Sequence, residues 1–140
     1  MMLIDATDLI LGRVAAAAAK AALLGEKINI VNCEKAVISG RKRALIEHFK
    51  WRRQLGFNPY KGPFVPKSPD RIVKRAIRGM LPWKRWKGRQ AYKRIRCYIG
   101  LPARFEGIEA AKIAGAHVSE LASGRYLTVG QLAQEIGSRW

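Results

Sequence analysis

The first thirty residues alternate between apolar runs of two kinds. "MLIDAT" is a short apolar run that ends in the turn-forming residues Asp5 and Thr7, so it predicts a strand. "LGRVAAAAAKAALLGE" then predicts a helix that stops at Gly25, with Val14, Ala18, Ala21 and Leu24 on one stripe at three- and four-residue spacing. Small side chains on that stripe let a helix lie close to a sheet. "KINIVNC" is β-rich and apolar at consecutive positions, the pattern of a strand buried on both faces. Strand, helix and strand with brief connections predict a βαβ unit and a parallel sheet covered by helices.

Beyond it, "EKAVISG" offers another short strand or turn, and "RKRALIEHFKWRRQLG" a helix ending at Gly56 with Leu45, Ile46, Phe49 and Leu55 inward. "FNPYKGPFVPKSP" holds four of the six prolines and predicts an extended loop. Ser68 as N-cap, Pro69 at the first helical position and Asp70 beside them start the next helix, whose apolar stripe is Ile72, Val73, Ala76, Ile77 and Met80. Pro82 stops it, "WKRWKG" is read as loop, "RQAYKRI" as a short helix and "RCYIG" as a strand. In the tail, "YLTVGQLAQEIG" predicts a strand and a helix capped by Thr128, with Leu132, Ala133 and Ile136 inward.

Charge changes this picture. The net charge is +17 over 140 residues, and it is not spread evenly. From Arg41 to Arg104 there are 20 Lys or Arg against two acids, Glu47 and Asp70, whereas the rest of the chain holds 7 basic and 8 acidic residues. A solvated face normally mixes its signs, so a block of one sign calls for a polyanion, and nucleic acid fits that need better than an anionic membrane. The cations spread over two helices and two Pro/Gly loops, which suits a folded RNA with converging phosphates better than a duplex read by one helix. Trp83 and Trp86 stand among Lys84, Arg85, Lys87 and Arg89; rings beside cations can stack on bases, or one can anchor the loop to the domain. Trp51, Tyr60 and Phe64 carry the same two readings.

Other chemistry is thin. Neither G-x-G-x-x-G nor a Walker A loop is present, and the basic block lacks the clustered carboxylates of a metal-dependent nuclease. Asp5 is the best isolated candidate for a catalytic acid, but a turn role explains it. His48 and His117 have no nucleophile at a diagnostic spacing, and Cys33 and Cys97 read as small buried thiols in a reducing compartment. No apolar run reaches the ~20 residues of a membrane span, and the acidic start, with Asp5 and Asp8, is unlike a signal peptide, so a cytoplasmic protein is expected. The rival functions are a nucleic-acid-modifying enzyme and a DNA-compacting protein.

"IDATDLILGRVA", "NIVNCEKAVISG", "PKSPDRIVKRAIRGMLPWKRWKGRQA" and "RCYIGLP" together resemble the large-subunit ribosomal protein L-thirteen family in its archaeal and eukaryotic branch. The likeness runs in order from Ile4 to Pro102; Arg75 to Pro82 is its most specific piece, and the tail is similar to archaeal members. The resemblance implies a three-layer α/β/α domain around a four-stranded, mainly parallel sheet with basic Pro/Gly-rich loops. It also implies binding to large-subunit ribosomal RNA early in subunit assembly, neighbouring ribosomal proteins as partners, no catalytic activity and no cofactor, membrane or small-molecule substrate. Residues 1–102 would form the core, with the RNA-binding region at 41–104, and 103–140 an extension packed on it. The residues expected to meet RNA are Arg41, Lys42, Arg43, Lys50, Arg52, Arg53, Lys61, Lys67, Arg71, Lys74, Arg75, Arg78, Trp83, Lys84, Arg85, Trp86, Lys87 and Arg89. "WKRW" at Trp83 to Trp86 departs from the family pattern.

Overall fold

A computed structural model describes residues 1–56 and 60–140; the first three residues of the proline-rich loop, 57–59, lie outside the described residues. Strands β1 (Met2–Asp5), β2 (Ile28–Val31) and β4 (Ile95–Cys97) form a parallel sheet in the order β1-β2-β4. Between β1 and β2 runs α1 (Leu11–Leu23), so the βαβ unit expected from the opening pattern is present. Strand β3 (Val37–Ser39) is followed by α2 (Lys42–Gln54), α3 (Pro69–Gly79) and α4 (Trp86–Lys93), and the tail supplies β5 (Tyr126–Thr128) and α5 (Val129–Glu135).

The sheet differs from the four strands expected. Three strands run parallel, and β3 pairs antiparallel with β5 in a separate two-stranded ribbon. The cause is local: Asn32 adopts a left-handed backbone (φ 53°) and the chain makes a 3₁₀ turn over Cys33–Lys35, which turns β3 away from the sheet. The two sheet faces also differ. Ile4, Ile28, Ile30 and Ile95 point into the main core with α1, α3 and α5, whereas Leu3 and Val31 point the other way onto Phe105 and Tyr98. On that second face the described chain offers a 3₁₀ turn at Ala103–Phe105 in place of the expected helical layer, with the Ala111 amide donating to the Leu3 carbonyl at 2.7 Å.

Helix α1 buries Leu11, Val14, Ala15, Ala18, Ala19 and Ala22; of the expected stripe Val14 and Ala18 are buried, whereas Ala21 is only half-buried and Leu24 is 76% exposed beyond the helix end. Likewise Leu55 and Met80 fall just past the ends of α2 and α3 and are exposed, because neither position remains on the helical stripe. Helix α2 has no fully buried residue. It is held by Leu45, Ile46 and Phe49 against the core, by Lys42 Nζ to Glu135 at 3.4 Å, and by the Arg53 guanidinium donating to the Ile136 carbonyl. The tail therefore fixes the basic helix. The α5 cap is the expected one: Thr128 and Gln131 bond reciprocally as a capping box. At α3 the Ser68 hydroxyl donates to the Asp70 carboxylate in place of capping a backbone amide.

Asp5 has a structural role. Its Oδ1 accepts from the Thr7 amide (3.0 Å), the Thr7 hydroxyl (2.7 Å) and the Asn32 side-chain amide (2.9 Å), tying the end of β1 to the turn after β2. Burial alone would raise its pKa, but the bonds from Asn32 and Thr7 outweigh it and hold the carboxyl below its ordinary value. Because the folded-state pKa is the lower one, this contribution is complete above the unfolded value near ~3.9 and is lost as pH falls through the folded value. Asp5→Ala should cost about 1–2 kcal/mol in chemical denaturation at neutral pH, less than a buried charged bond because the group is half-exposed. A variant as stable as the wild type would contradict this structural role.

Candidate nucleic-acid interface

The basic block folds into three helices and two connecting loops. α5 packs against both α2 and α3, while α3 and α4 pack on α1. The strongly amphipathic α3 buries Pro69, Ile72, Val73 and Ile77 and leaves Arg71 and Arg75 exposed, with Lys74 and Arg78 half-buried at its margin. Ion pairing does little to neutralise the block. Among the described residues two salt bridges occur, Lys42 to Glu135 and Arg43 to Glu47 at 2.8 Å, so both acids in the block are consumed locally, Glu47 by Arg43 and Asp70 by Ser68. Arg41, Lys50, Arg52, Lys61, Lys67, Arg71, Arg75, Lys84, Arg85, Lys87 and Arg89 are all exposed cations without a salt bridge.

The two tryptophans separate. Arg78 lies over the Trp83 ring at 4.0 Å, the Tyr92 ring meets Trp83 edge-on at 5.1 Å, and Lys74 lies over Tyr92 at 5.0 Å. Trp83 is therefore held in a cation–aromatic stack that joins α3 to α4. Trp86 is 70% exposed. It also stands at the first position of α4, which begins earlier than "RQAYKRI" suggested, so Trp86, Lys87 and Gly88 are helical where a loop was expected. The first turn fits only because residue 88 is glycine: a Cβ there would fall on the Pro82 carbonyl, with the carbonyl carbon at 2.5 Å. Trp51, Tyr60 and Phe64 are exposed as well.

Cys33 is not set up for thiol chemistry. Cys33 is buried, and a hydrogen bond with Cys97 together with burial raises its thiol pKa far above the ordinary value, which keeps it protonated and inert. The two lie side by side although 64 positions separate them, a proximity the sequence did not reveal. Among the described residues no cluster of His, Cys, Asp or Glu could hold a metal ion, and no helix is long and apolar enough to cross a membrane.

Residues 1–104 match the family profile described as Ribosomal protein L13. The chain belongs to that family. Its members are structural components of the ribosome and not enzymes. Archaeal relatives extend the match over the whole chain. The protein of Methanococcoides burtonii named large ribosomal subunit protein uL13 is 42% identical over 140 residues, all of both chains. Its namesake in Methanosarcina barkeri is 45% identical over 141 residues, again all of both chains. The Methanopyrus kandleri protein of the same name is 46% identical over 136 residues, 96% of this chain and 85% of the relative. The tail that anchors α2 is thus shared with archaeal relatives although the family profile ends before it.

One cationic group supplied none of the expected contact residues, although Lys93, Arg94, Arg96 and Arg104 lie within the expected region 41–104. Lys27, Lys93, Arg94, Arg96 and Arg104 surround Asn29 in a cleft of about 500 Å³ beside the second face of the sheet. The expected contacts stopped at Arg89 because 93–97 read as the end of a helix and a strand. Strand alternation was the available signal: with Ile95 inward, Arg96 must point to the opposite face.

Proposed function

We propose that the chain is a constituent of the large ribosomal subunit that binds and stabilises large-subunit ribosomal RNA early in assembly, in the cytoplasm and beside other ribosomal proteins. The observation that carries the reading is the exposed, largely unpaired cationic surface on α2, α3, the start of α4 and their loops, in a chain whose archaeal relatives are named as large-subunit proteins. Phosphates from several RNA strands would supply the counter-charge that the protein's own acids do not, with Arg71 and Arg75 central to it. Lys42 and Arg53 first tie α2 to the tail, while Arg43 pairs with Glu47 along the helix, and the free valences of all three then face RNA. The mainly parallel sheet and its helices serve as the rigid support.

A tagged copy expressed in the native host should sediment with large subunits and with their precursor particles in sucrose gradients. Recovery solely in ribosome-free fractions would overturn the assignment, and recovery in mature subunits without precursors would remove the early-assembly part.

Trp86 and Trp83 should respond differently to truncation. Trp86→Ala should weaken RNA binding by about 1–3 kcal/mol, the value of one stacked base, with little change in melting temperature. Trp83→Ala should instead lower thermal stability, because it empties the stack between Arg78 and Tyr92. Equal RNA affinity in wild type and Trp86→Ala, measured by filter binding, would contradict the stacking role.

A further inference from the structure

The cleft around Asn29 is built unlike the rest of the basic surface. Asn29 is only 7% exposed and lies in the middle strand of the sheet, and its side-chain amide, without a hydrogen-bond partner among the described residues, meets solvent in the cleft it lines. Arg96 is its register partner on β4, so the two side chains stand next to each other on one face, about 4.8 Å apart along the hydrogen-bonding direction. Lys27 and Lys93 stand exposed at the rim, and Arg94 is partly engaged, donating to the Ala22 carbonyl at 3.3 Å. On the remaining side Arg104 lies over the Tyr98 and Phe105 rings, 4.6 Å from each centroid, with its own outer side exposed. No carboxylate lines the cleft.

We infer that this cleft receives a single unpaired nucleotide of the bound RNA, its phosphate between Lys93 and Arg96 and its base or ribose hydrogen-bonded by Asn29. The inference rests on the RNA-binding reading above and adds a discrete nucleotide pocket to it. The volume falls within the about 300–1,000 Å³ usual for small-ligand sites. Five cations and no acid require an anion. The neutral amide decides which kind: it offers both donors and an acceptor, and a base edge or 2′-hydroxyl answers both. A lone phosphate or carboxylate would present acceptors only and leave the Asn29 carbonyl oxygen unanswered. The Arg104 guanidinium, already flat on two rings, provides a plane on which a base stacks.

The test uses the full chain and a full-length transcript of Methanosarcina barkeri large-subunit rRNA, titrated over a salt series. Lys93→Gln with Arg96→Gln should weaken binding about 40-fold near 0.1 M salt and reduce the log–log salt slope by about 1.5–2, as expected for two lost phosphate contacts. Asn29→Ser should weaken binding fivefold or more with the slope unchanged, the signature of an uncharged contact. Should Asn29→Ser fail to fold, the exposed Lys93/Arg96 pair decides the matter alone. Arg71→Glu with Arg75→Glu is the control. If that control loses RNA while the cleft variants keep wild-type affinity and slope, the nucleotide pocket is overturned and the general reading stands, leaving the cleft to an acidic protein segment. If the control and the cleft variants all bind as wild type does, the RNA-binding reading itself falls.

Discussion

Reversing Arg71 and Arg75 to Glu is expected to weaken binding to large-subunit rRNA by at least about 100-fold near 0.1 M salt. Each arginine is exposed on α3, opposite the buried Ile72, Val73 and Ile77, and neither forms a salt bridge or a ring contact among the described residues. Losing two phosphate contacts accounts for a factor of tens by counterion release, and the new carboxylates add repulsion. Because both side chains point to solvent, the fold should be unaffected, with the melting temperature within a few degrees of wild type. Arg78 is a poor choice for the same experiment, since its guanidinium covers Trp83 and its removal would mix binding with stability. Wild-type affinity in the double variant would show that α3 does not face RNA.

The second large effect is on stability. Gly88→Ala is expected to cost about 3 kcal/mol, at the upper end of overpacking effects, and to lower the melting temperature by about 10 °C. An added Cβ would meet the Pro82 carbonyl, which is backbone and is itself held by accepting the Arg85 amide at 3.0 Å, so neither partner can step aside cheaply. The shift would open the turn between α3 and α4 that presents Lys84, Arg85 and Trp86. RNA affinity at low temperature should fall too, by less than in the arginine reversal. A variant that melts like wild type would mean that the first turn of α4 can move without loss.

Much of this fold was legible because the relevant signals are local. The βαβ opening follows from two apolar runs and a small-residue helix between them, and α5 follows from Thr128 with Gln131 three positions on. What the sequence did not reveal depends on distant partners. β3 is a plausible fourth parallel strand until Asn32 turns the chain and β5, almost ninety residues away, offers an antiparallel edge. Trp83 and Trp86 look alike in a run of cations; only the placement of Arg78 and Tyr92 makes one a packing residue and leaves the other exposed. The same holds for the cleft, where Lys27 and Asn29 come from one stretch and Arg96 and Arg104 from a distant one that only the fold brings beside it.

Counting charges marks out the exposed cationic surface, but charge density alone does not distinguish a structured RNA from any other polyanion. The direct measurement is binding of the purified chain to fragments of large-subunit rRNA and to duplex DNA of equal length as salt rises from about 50 to about 200 mM, a range over which six to ten phosphate contacts lose about 10³ to 10⁵ in affinity. The account predicts that one rRNA fragment remains tightly bound at the upper salt after DNA has been released. Parallel loss of RNA and DNA would contradict it, leaving a surface that attracts any nucleic acid and recognises none.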